Sequence, residues 1–235
     1  MQILFPLDPL AILPAATPGY LVKTESVALP GGCLQIRSLL DRQQFSDPDD
    51  LALQAGISSA QWPLFGLVWP SGLVLAAVMQ TFVIEGKRVL EVGCGLGLAS
   101  LVMHRRQGDI TASDCHPLAG DFLARNCLLN DLGLPLKYEM ANWRDENLLL
   151  GRFDLIIGSD LLYDRDQPLL LSAFIDRHAK ATVEVLIVDP DRGNRPHFSR
   201  EMAVLGFSLE ETRVTELPMA GGDYKGRLLS YRRSA

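Results

Sequence analysis

No basic run in this 235-residue chain is longer than a pair, as at Arg105-Arg106 or Arg232-Arg233. With 22 Lys and Arg against 28 Asp and Glu, the formal charge is −6. Neither feature suits a partner that presents a phosphate backbone, so nucleic acid is not an expected ligand. Cysteine is scarce as well. The four cysteines (Cys33, Cys94, Cys115, Cys127) show no C-x-x-C spacing, and the four histidines do not pair at i, i+4. That pattern gives neither a structural zinc nor a disulfide framework, so no metal site is expected. Reduced thiols fit a cytoplasmic protein. Charge is missing altogether between Leu51 and Ile84. Pro63 and Pro70 interrupt that run, and the unbroken helical part, Ser71 to about Val83, reaches only about 20 Å against the ~30 Å of a hydrocarbon core. A buried helix is expected there, and no membrane partner. The N-terminus has no positive lead-in and is broken by Pro6, Pro9, Pro14 and Pro18, which argues against a signal peptide.

What remains is a globular composition, 48% hydrophobic and 21% charged, with enough apolar material to cover a sheet. The first 19 residues read as proline-rich and irregular. Tyr20–Ala28 and Cys33–Leu40 are β-prone runs joined through Pro30-Gly31-Gly32, a hairpin. Two Trp-Pro pairs, at Trp62 and Trp69, should hold both tryptophans on extended backbone ahead of a helix. From Lys87 strands and helices alternate: strands at Arg88–Val92, Ile110–Ser113, Leu136–Met140, Phe153–Ser159 and Thr182–Asp189, with helices between them. Two more strands, Phe207–Val214 and Arg227–Arg232, follow the last helix. This predicts an α/β fold, a Rossmann-like doubly wound and mainly parallel seven-stranded sheet with an N-terminal β-hairpin extension. The division expected is an extension over 1–60 and the main domain over 61–235.

The densest signal is K-R-V-L-E-V-G-C-G-L-G, from Lys87 to Gly97. A strand that ends in alternating glycines and continues into a helix opens a ligand crevice at the carboxyl edge of a parallel sheet. The dinucleotide fingerprint is incomplete, because its third glycine is replaced by Leu98. Glu91 stands two residues ahead of Gly93, where a carboxylate disfavours a pyrophosphate and favours a ligand carrying an ammonium and a sulfonium. That ligand is S-adenosylmethionine; the competing reading is a plain strand-to-helix turn. Gly93, Cys94 and Gly95 would form the loop beneath it.

Other strand ends supply more candidates. Asp114, about 20 residues past the glycine loop, is placed to accept both ribose hydroxyls, or else to cap, ahead of Pro117, a helix that starts there. Trp143, beside Asn142 after the third strand, offers an adenine a stacking face, or is an ordinary half-buried indole. The fourth strand ends in Ser159-Asp160-Leu161-Leu162-Tyr163. Asp160 and Tyr163 should border the transferable methyl, the acid holding an ammonium and the ring facing it; a capping Asp and a core Tyr are the alternative. Asp189-Pro190-Asp191-Arg192 closes the fifth strand at the same edge, so Asp189 or Arg192 can touch an acceptor, or the loop is structural.

Taken together, Trp69-Pro-Ser with its helix, E-V-G-C-G-L-G, Asp114, Trp143, D-L-L-Y (Asp160–Tyr163) and V-D-P-D-R (Val188–Arg192) resemble the seven-strand class I methyltransferases, within their protein-lysine methyltransferase branch. The resemblance covers roughly residues 62–200. It implies an S-adenosylmethionine-dependent N-methyltransferase acting on a lysine of a protein substrate. It also implies cofactor contacts at Trp69, Gly93, Gly95, Asp114, Trp143 and Ser159, with Asp160 and Tyr163 near the acceptor amine. A small-molecule amine acceptor, or a cofactor-binding scaffold without catalysis, is compatible with the same residues.

Overall fold

The computed structural model describes residues 19–133, 136–146, 150–219 and 221–234. The irregular reading of the first residues falls, except for Gly19, outside them. A hairpin of β1 (Val22–Leu29) and β2 (Gly32–Leu39) comes first. It is followed by α1 (Leu51–Gln54), a 3-10 helix over Trp62–Gly66 and α2 (Pro70–Met79). Alternation then begins: β3 (Arg88–Val92), α3 (Leu98–Arg105), β4 (Asp109–Asp114), α4 (Ala119–Leu129), β5 (Lys137–Met140) and β6 (Phe153–Ser159). The chain closes with α5 (Gln167–His178), β7 (Ala179–Asp189), α6 (Arg195–Val204), β8 (Ser208–Glu216) and β9 (Asp223–Arg233).

Seven strands form one sheet in the order β5-β4-β3-β6-β7-β9-β8. All pairings from β5 to β7 are parallel, and β9 runs antiparallel to both its neighbours. The expected doubly wound, mainly parallel sheet is therefore present, with one reversed strand near an edge. Because the chain builds outward from β3 through β4 to β5 and then returns to place β6 on the other side of β3, the winding reverses at β3. A crevice opens there at the carboxyl ends of the strands.

Strand alternation divides the apolar residues between two cores, one on each face. Val89, Leu155, Ile157, Leu186 and Val188 join α2, α3 and α4 in one core. Leu90, Ile156, Val185, Ile187 and Tyr231 join α5 and α6 in the other. Buried on both faces, β3, β6 and β7 read as near-continuous apolar runs, as central parallel strands do. Among the described residues, no helix is long and apolar enough to cross a membrane.

The hairpin turns at Pro30-Gly31, where proline fixes φ and Gly31 supplies a φ of +84°, the residue order of a type II turn. Its apolar residues Leu29, Leu34, Ile36 and Leu39 belong to the core under α2, α3 and α4. A second device docks it. The Asn126 amide of α4 accepts from Arg37 N at 2.7 Å and donates to Arg37 O at 3.3 Å. One turn on, the Asn130 amide accepts from Gln35 N at 2.8 Å and donates to Gln35 O at 2.8 Å. Two side-chain amides at i, i+4 thus act as a strand against the free edge of β2, satisfying its alternate backbone groups.

Local expectations needed correction at three points. Trp69 is extended (φ −94°, ψ 142°) ahead of Pro70 and α2, as the pre-proline rule requires. Trp62 is not: it is the first residue of the 3-10 helix, with Pro63 tolerated in the first turn where no N–H is needed. Helix α4 begins at Ala119 rather than Pro117, and α2 ends at Met79 rather than about Val83.

Candidate active site

Strand β3 delivers the chain into Gly93-Cys94-Gly95-Leu96-Gly97, whose three glycines have φ of +58°, +53° and +70°. A side chain on Gly95 would fail twice, by its backbone region and because its Cβ would stand 2.8 Å from Phe65 O. The close approach at this glycine is therefore made by the 3-10 segment of the chain itself. The loop is held by Cys94 N donating to Ser113 O (2.9 Å) and Gly97 N donating to Cys94 O (2.8 Å), and it launches α3. Burial pushes the Cys94 thiol well above its ordinary range, which keeps it protonated.

Above this loop lies a cavity of about 1180 Å³. Every candidate cofactor or acceptor residue read from the sequence lines it, with the exception of Asp189. Asp114, at the tip of β4, is buried and its carboxylate is already oriented. Oδ2 accepts from Gly95 N and Oδ1 from His116 N, both at 2.8 Å. The capping alternative does not describe it, since α4 starts five residues later with Leu118 at its cap and no side-chain bond. A carboxylate accepts about four hydrogen bonds, so two backbone donors leave room for two hydroxyls. Burial raises its pKa, and the His116, Gly95 and Cys115 amides act against that rise.

Glu91 does something the linear pattern did not show. It shares the face of Val89, beneath α3, and its carboxylate accepts from Ser100 N (2.8 Å) and from Ser100 Oγ. It binds the first turn of α3, where an acid is favoured by the helix dipole, while bordering the cavity. Burial pushes it up to about 7.

The remaining walls come from separate elements. Trp69 donates Nε1–H to Leu64 O (2.8 Å), which fixes its ring where it lines the cavity. Trp143 reaches the loop from the β5 end, its Cζ2 standing 3.6 Å from where a Gly93 Cβ would be. Asn142 donates to Ala55 O (3.1 Å) and accepts from Arg144 N (3.1 Å), tying the segment after α1 to the β5 end. Ser159 ends β6 beside Gly72 of α2, whose Cβ would sit 3.7 Å from Ser159 Oγ.

The acceptor side is built by the loops after β6 and β7. Asp160 adopts a φ of +57°, a left-handed conformation uncommon outside glycine. It is held there by its N–H donating to Val188 O at 2.9 Å. Its Oδ1 accepts from Arg192 Nε at 2.5 Å, so two residues read separately from the sequence form one ion pair on the cavity wall. Tyr163 stands at the rim, 44% exposed.

Asp189 corrects an expectation. It continues the row of Val185 and Ile187, whose side chains enter the core under α5 and α6. It is wholly buried and cannot touch an acceptor. Instead Asp189 Oδ1 accepts from Arg192 N at 2.8 Å, shaping the loop that carries Arg192. Burial pushes its carboxyl up to about 6.

A family described as lysine methyltransferase matches residues 52–201, well over half of the chain. The chain belongs to this lysine methyltransferase family. The match begins within α1 and reaches into α6, so it takes in all of the cavity lining except Arg42 and Leu51. Among curated relatives, this member of the lysine methyltransferase family is 31% identical over 165 residues to the electron transfer flavoprotein beta subunit lysine methyltransferase of Xenopus laevis. That alignment covers 66% of this chain and 64% of the relative. It is 32% identical over 156 residues to the calmodulin-lysine N-methyltransferase of Arabidopsis thaliana, covering 60% and 51%. The chain therefore spans between about half and two thirds of these relatives' length. Among solved structures, a methyltransferase from Pyrococcus furiosus superposes with a TM-score of 0.54 at 16% identity, covering 70% of this chain and 83% of that one. The glycopeptide N-methyltransferase MtfA, complexed with sinefungin, gives 0.54 at 13% identity over 71% and 94%. These two likenesses concern the fold.

Several cavity residues of this family member escaped the sequence reading. His116 is stacked on Phe65 with ring centroids 3.7 Å apart, and burial pushes its imidazole down to about 3, so the ring is neutral. Its Nδ1 accepts from Leu118 N (3.2 Å), which assigns the proton to Nε2. Position alone, two residues past Asp114, was the available signal. The roof over the cavity, Leu51 and Gln54 to Ile57, comes from the uncharged run, of which only the part from Ser71 to about Val83 was read as a helix. Gln61, at its end, donates to Asp164 Oδ2 (3.3 Å) and so bridges roof and acceptor loop.

Proposed function

We propose that this chain transfers a methyl group from S-adenosylmethionine to the Nζ of a lysine in a protein acceptor. The observation that carries the reading is the meeting, in one cavity, of a clasped ribose-type acid, an indole, a glycine loop and a charged acceptor wall. At about 1180 Å³ the cavity exceeds the ~300–1,000 Å³ of a typical small-molecule site. That leaves room for an acceptor side chain beside a nucleoside, and the exposed rim at Tyr163 suits a side chain that arrives on a larger body.

The residues present fit the cofactor. Asp114 would accept the ribose hydroxyls, Trp143 would offer a face to adenine, and the glycine loop with Trp69 and Ser159 would hold the amino-acid end. Glu91 borders the cavity beneath the loop and holds the first turn of α3 in place. Once bound, S-adenosylmethionine supplies a methyl group on a positively charged sulfur, so the chain needs no nucleophile of its own. Its task is alignment and delivery of a neutral amine. Free lysine, with a pKa near ~10.4, must first lose a proton, which water in the cavity can accept. Asp160 and Tyr163 then orient the nitrogen. The four free cysteines support a reducing, cytoplasmic setting for this activity.

The test is to incubate the protein with labelled S-adenosylmethionine and a cell lysate, with electron transfer flavoprotein beta subunit and calmodulin as purified probes, and to locate the label by mass spectrometry. Label on lysine supports the reading. Label confined to small molecules replaces it with a metabolite N-methyltransferase, and cofactor binding without label anywhere leaves a scaffold.

A further inference from the structure

Resting on the methyl-transfer reading, we infer that Arg192 is a positioning residue that sets the protonation of the acceptor amine, by pairing with Asp160 so that the acceptor meets a neutral ion pair in place of a bare carboxylate. Alone, Asp160 would hold an ammonium well and thereby oppose its deprotonation, the step that transfer requires. The ion pair resolves that conflict. Arg192 Nε takes Asp160 Oδ1 at 2.5 Å, which leaves Oδ2 to align the nitrogen. The guanidinium, with a side chain 36% exposed against 10% for its partner, faces the cavity as a cation and disfavours a second positive charge beside it.

The geometry is fixed from both sides. Asp160 is locked by its left-handed backbone and its bond to Val188 O. Arg192 is locked by its backbone bond to the buried Asp189. Arg144, which also lines the cavity, is paired with Asp166 at 3.8 Å. Arg195, on α6, is engaged with Asp191 (3.8 Å) and Glu211 (2.6 Å), and Asp191 is also held by Arg227 at 2.8 Å. Tyr224 of β9 shares its hydroxyl with Ser71 at 2.8 Å. Tyr163 lies on the cavity side, and Asp189 sits behind the pair. The bond to Asp160 pushes Arg192 further up, so the guanidinium stays charged at every working pH. In the deprotonation step the Nζ–H bond breaks, its electron pair stays on nitrogen and the proton passes to water.

The test compares wild type, Arg192→Gln and Arg192→Lys. With Gln, the freed carboxylate stabilises the ammonium, and the acidic limb of the transfer rate against pH should move up by about one to two units. The rate near pH 8 should then fall tenfold or more and recover by about pH 10. Lys keeps the cation and should leave the limb within about half a unit. Binding of butylammonium, in the presence of S-adenosylhomocysteine and followed by NMR titration at pH 7, gives a readout that needs no turnover. Arg192→Gln should bind it at least fivefold more tightly than wild type. A rate lowered by one factor at all pH values, or butylammonium binding to Arg192→Gln no tighter than to wild type, overturns the inference. If wild type itself labels no lysine while butylammonium still prefers Arg192→Gln, the electrostatic role stands and the methyl-transfer reading fails instead.

Discussion

Replacing Asp114 with alanine separates two duties that the structure assigns to one carboxylate. Toward the protein it accepts from Gly95 N and His116 N, each at 2.8 Å. Toward the cavity it has lone pairs for two ribose hydroxyls. The cavity-side loss is two charge-assisted hydrogen bonds at roughly 1.5–3 kcal/mol each, so affinity for S-adenosylhomocysteine should fall roughly 10²-fold or more. On the protein side, two backbone N–H groups lose their acceptor at roughly 1–3 kcal/mol each. Removing a carboxylate that burial disfavours, as its raised pKa records, offsets part of this. A net loss of about 2 kcal/mol in ligand-free stability, or several degrees in Tm, is expected. Calorimetry with S-adenosylhomocysteine and urea unfolding without ligand measure the two terms separately. If stability falls as stated while Kd stays within threefold of wild type, the carboxylate is only a clasp for the glycine loop and the ribose assignment is wrong.

Asp160→Asn keeps the shape but unpairs Arg192 and removes the carboxylate oxygen that aligns the nitrogen. Single-turnover transfer at saturating cofactor should slow by roughly 10²-fold with cofactor affinity within a few-fold, and a parallel fall in both constants would move Asp160 to the cofactor site. Trp143→Ala removes a stacking face that can contribute about 0.5–1.5 kcal/mol beyond its buried area. Kd for S-adenosylhomocysteine should rise several-fold, and an unchanged Kd in calorimetry would return Trp143 to a purely structural role. Burial lifts Glu91 from the usual 4.5 to about 7, so between those values the folded chain keeps a proton that the unfolded chain has released. Its contribution to stability is therefore complete below pH 4.5 and lost as pH rises through 7. Subtracting the unfolding free energy of Glu91→Gln from that of wild type should leave a term that declines by roughly 3 kcal/mol across this window, and a flat difference would refute the buried-acid assignment.

The strands were legible because each central one is a β-branched run buried on both faces, and their ends pointed to the crevice because α/β winding has few solutions. Asp114, Trp143 and the glycine loop could be read for the same reason: each sits at a strand terminus. The roof could not. From Leu51 to Ile84 nothing is charged, so periodicity has no contrast with which to mark α1 or the 3-10 helix at Trp62. Partnerships across loops were equally invisible. Asp160 and Arg192 are 32 residues apart, and nothing local says that they meet. Asp189 and Arg192 are only three apart, yet one is swallowed by the core and the other faces the cavity. That split arises because Asp189 ends β7 on the face covered by α5 and α6, while Arg192 stands in the loop beyond the strand.

The pair of asparagines on α4 has a consequence for how the cavity is opened. The amide protons of Gln35 and Arg37 belong to a strand but are held by side chains 95 and 89 residues away. Their exchange with solvent deuterium therefore gauges whether the hairpin is seated on α4, whereas the amides facing β1 gauge the hairpin's own ladder. The roof, Leu51 to Ile57, follows the hairpin in the chain and is anchored at its far end through Asn142. If ligands enter by lifting the roof together with the hairpin, these two protons will exchange early while the ladder stays protected. Filling the cavity will then slow those two selectively.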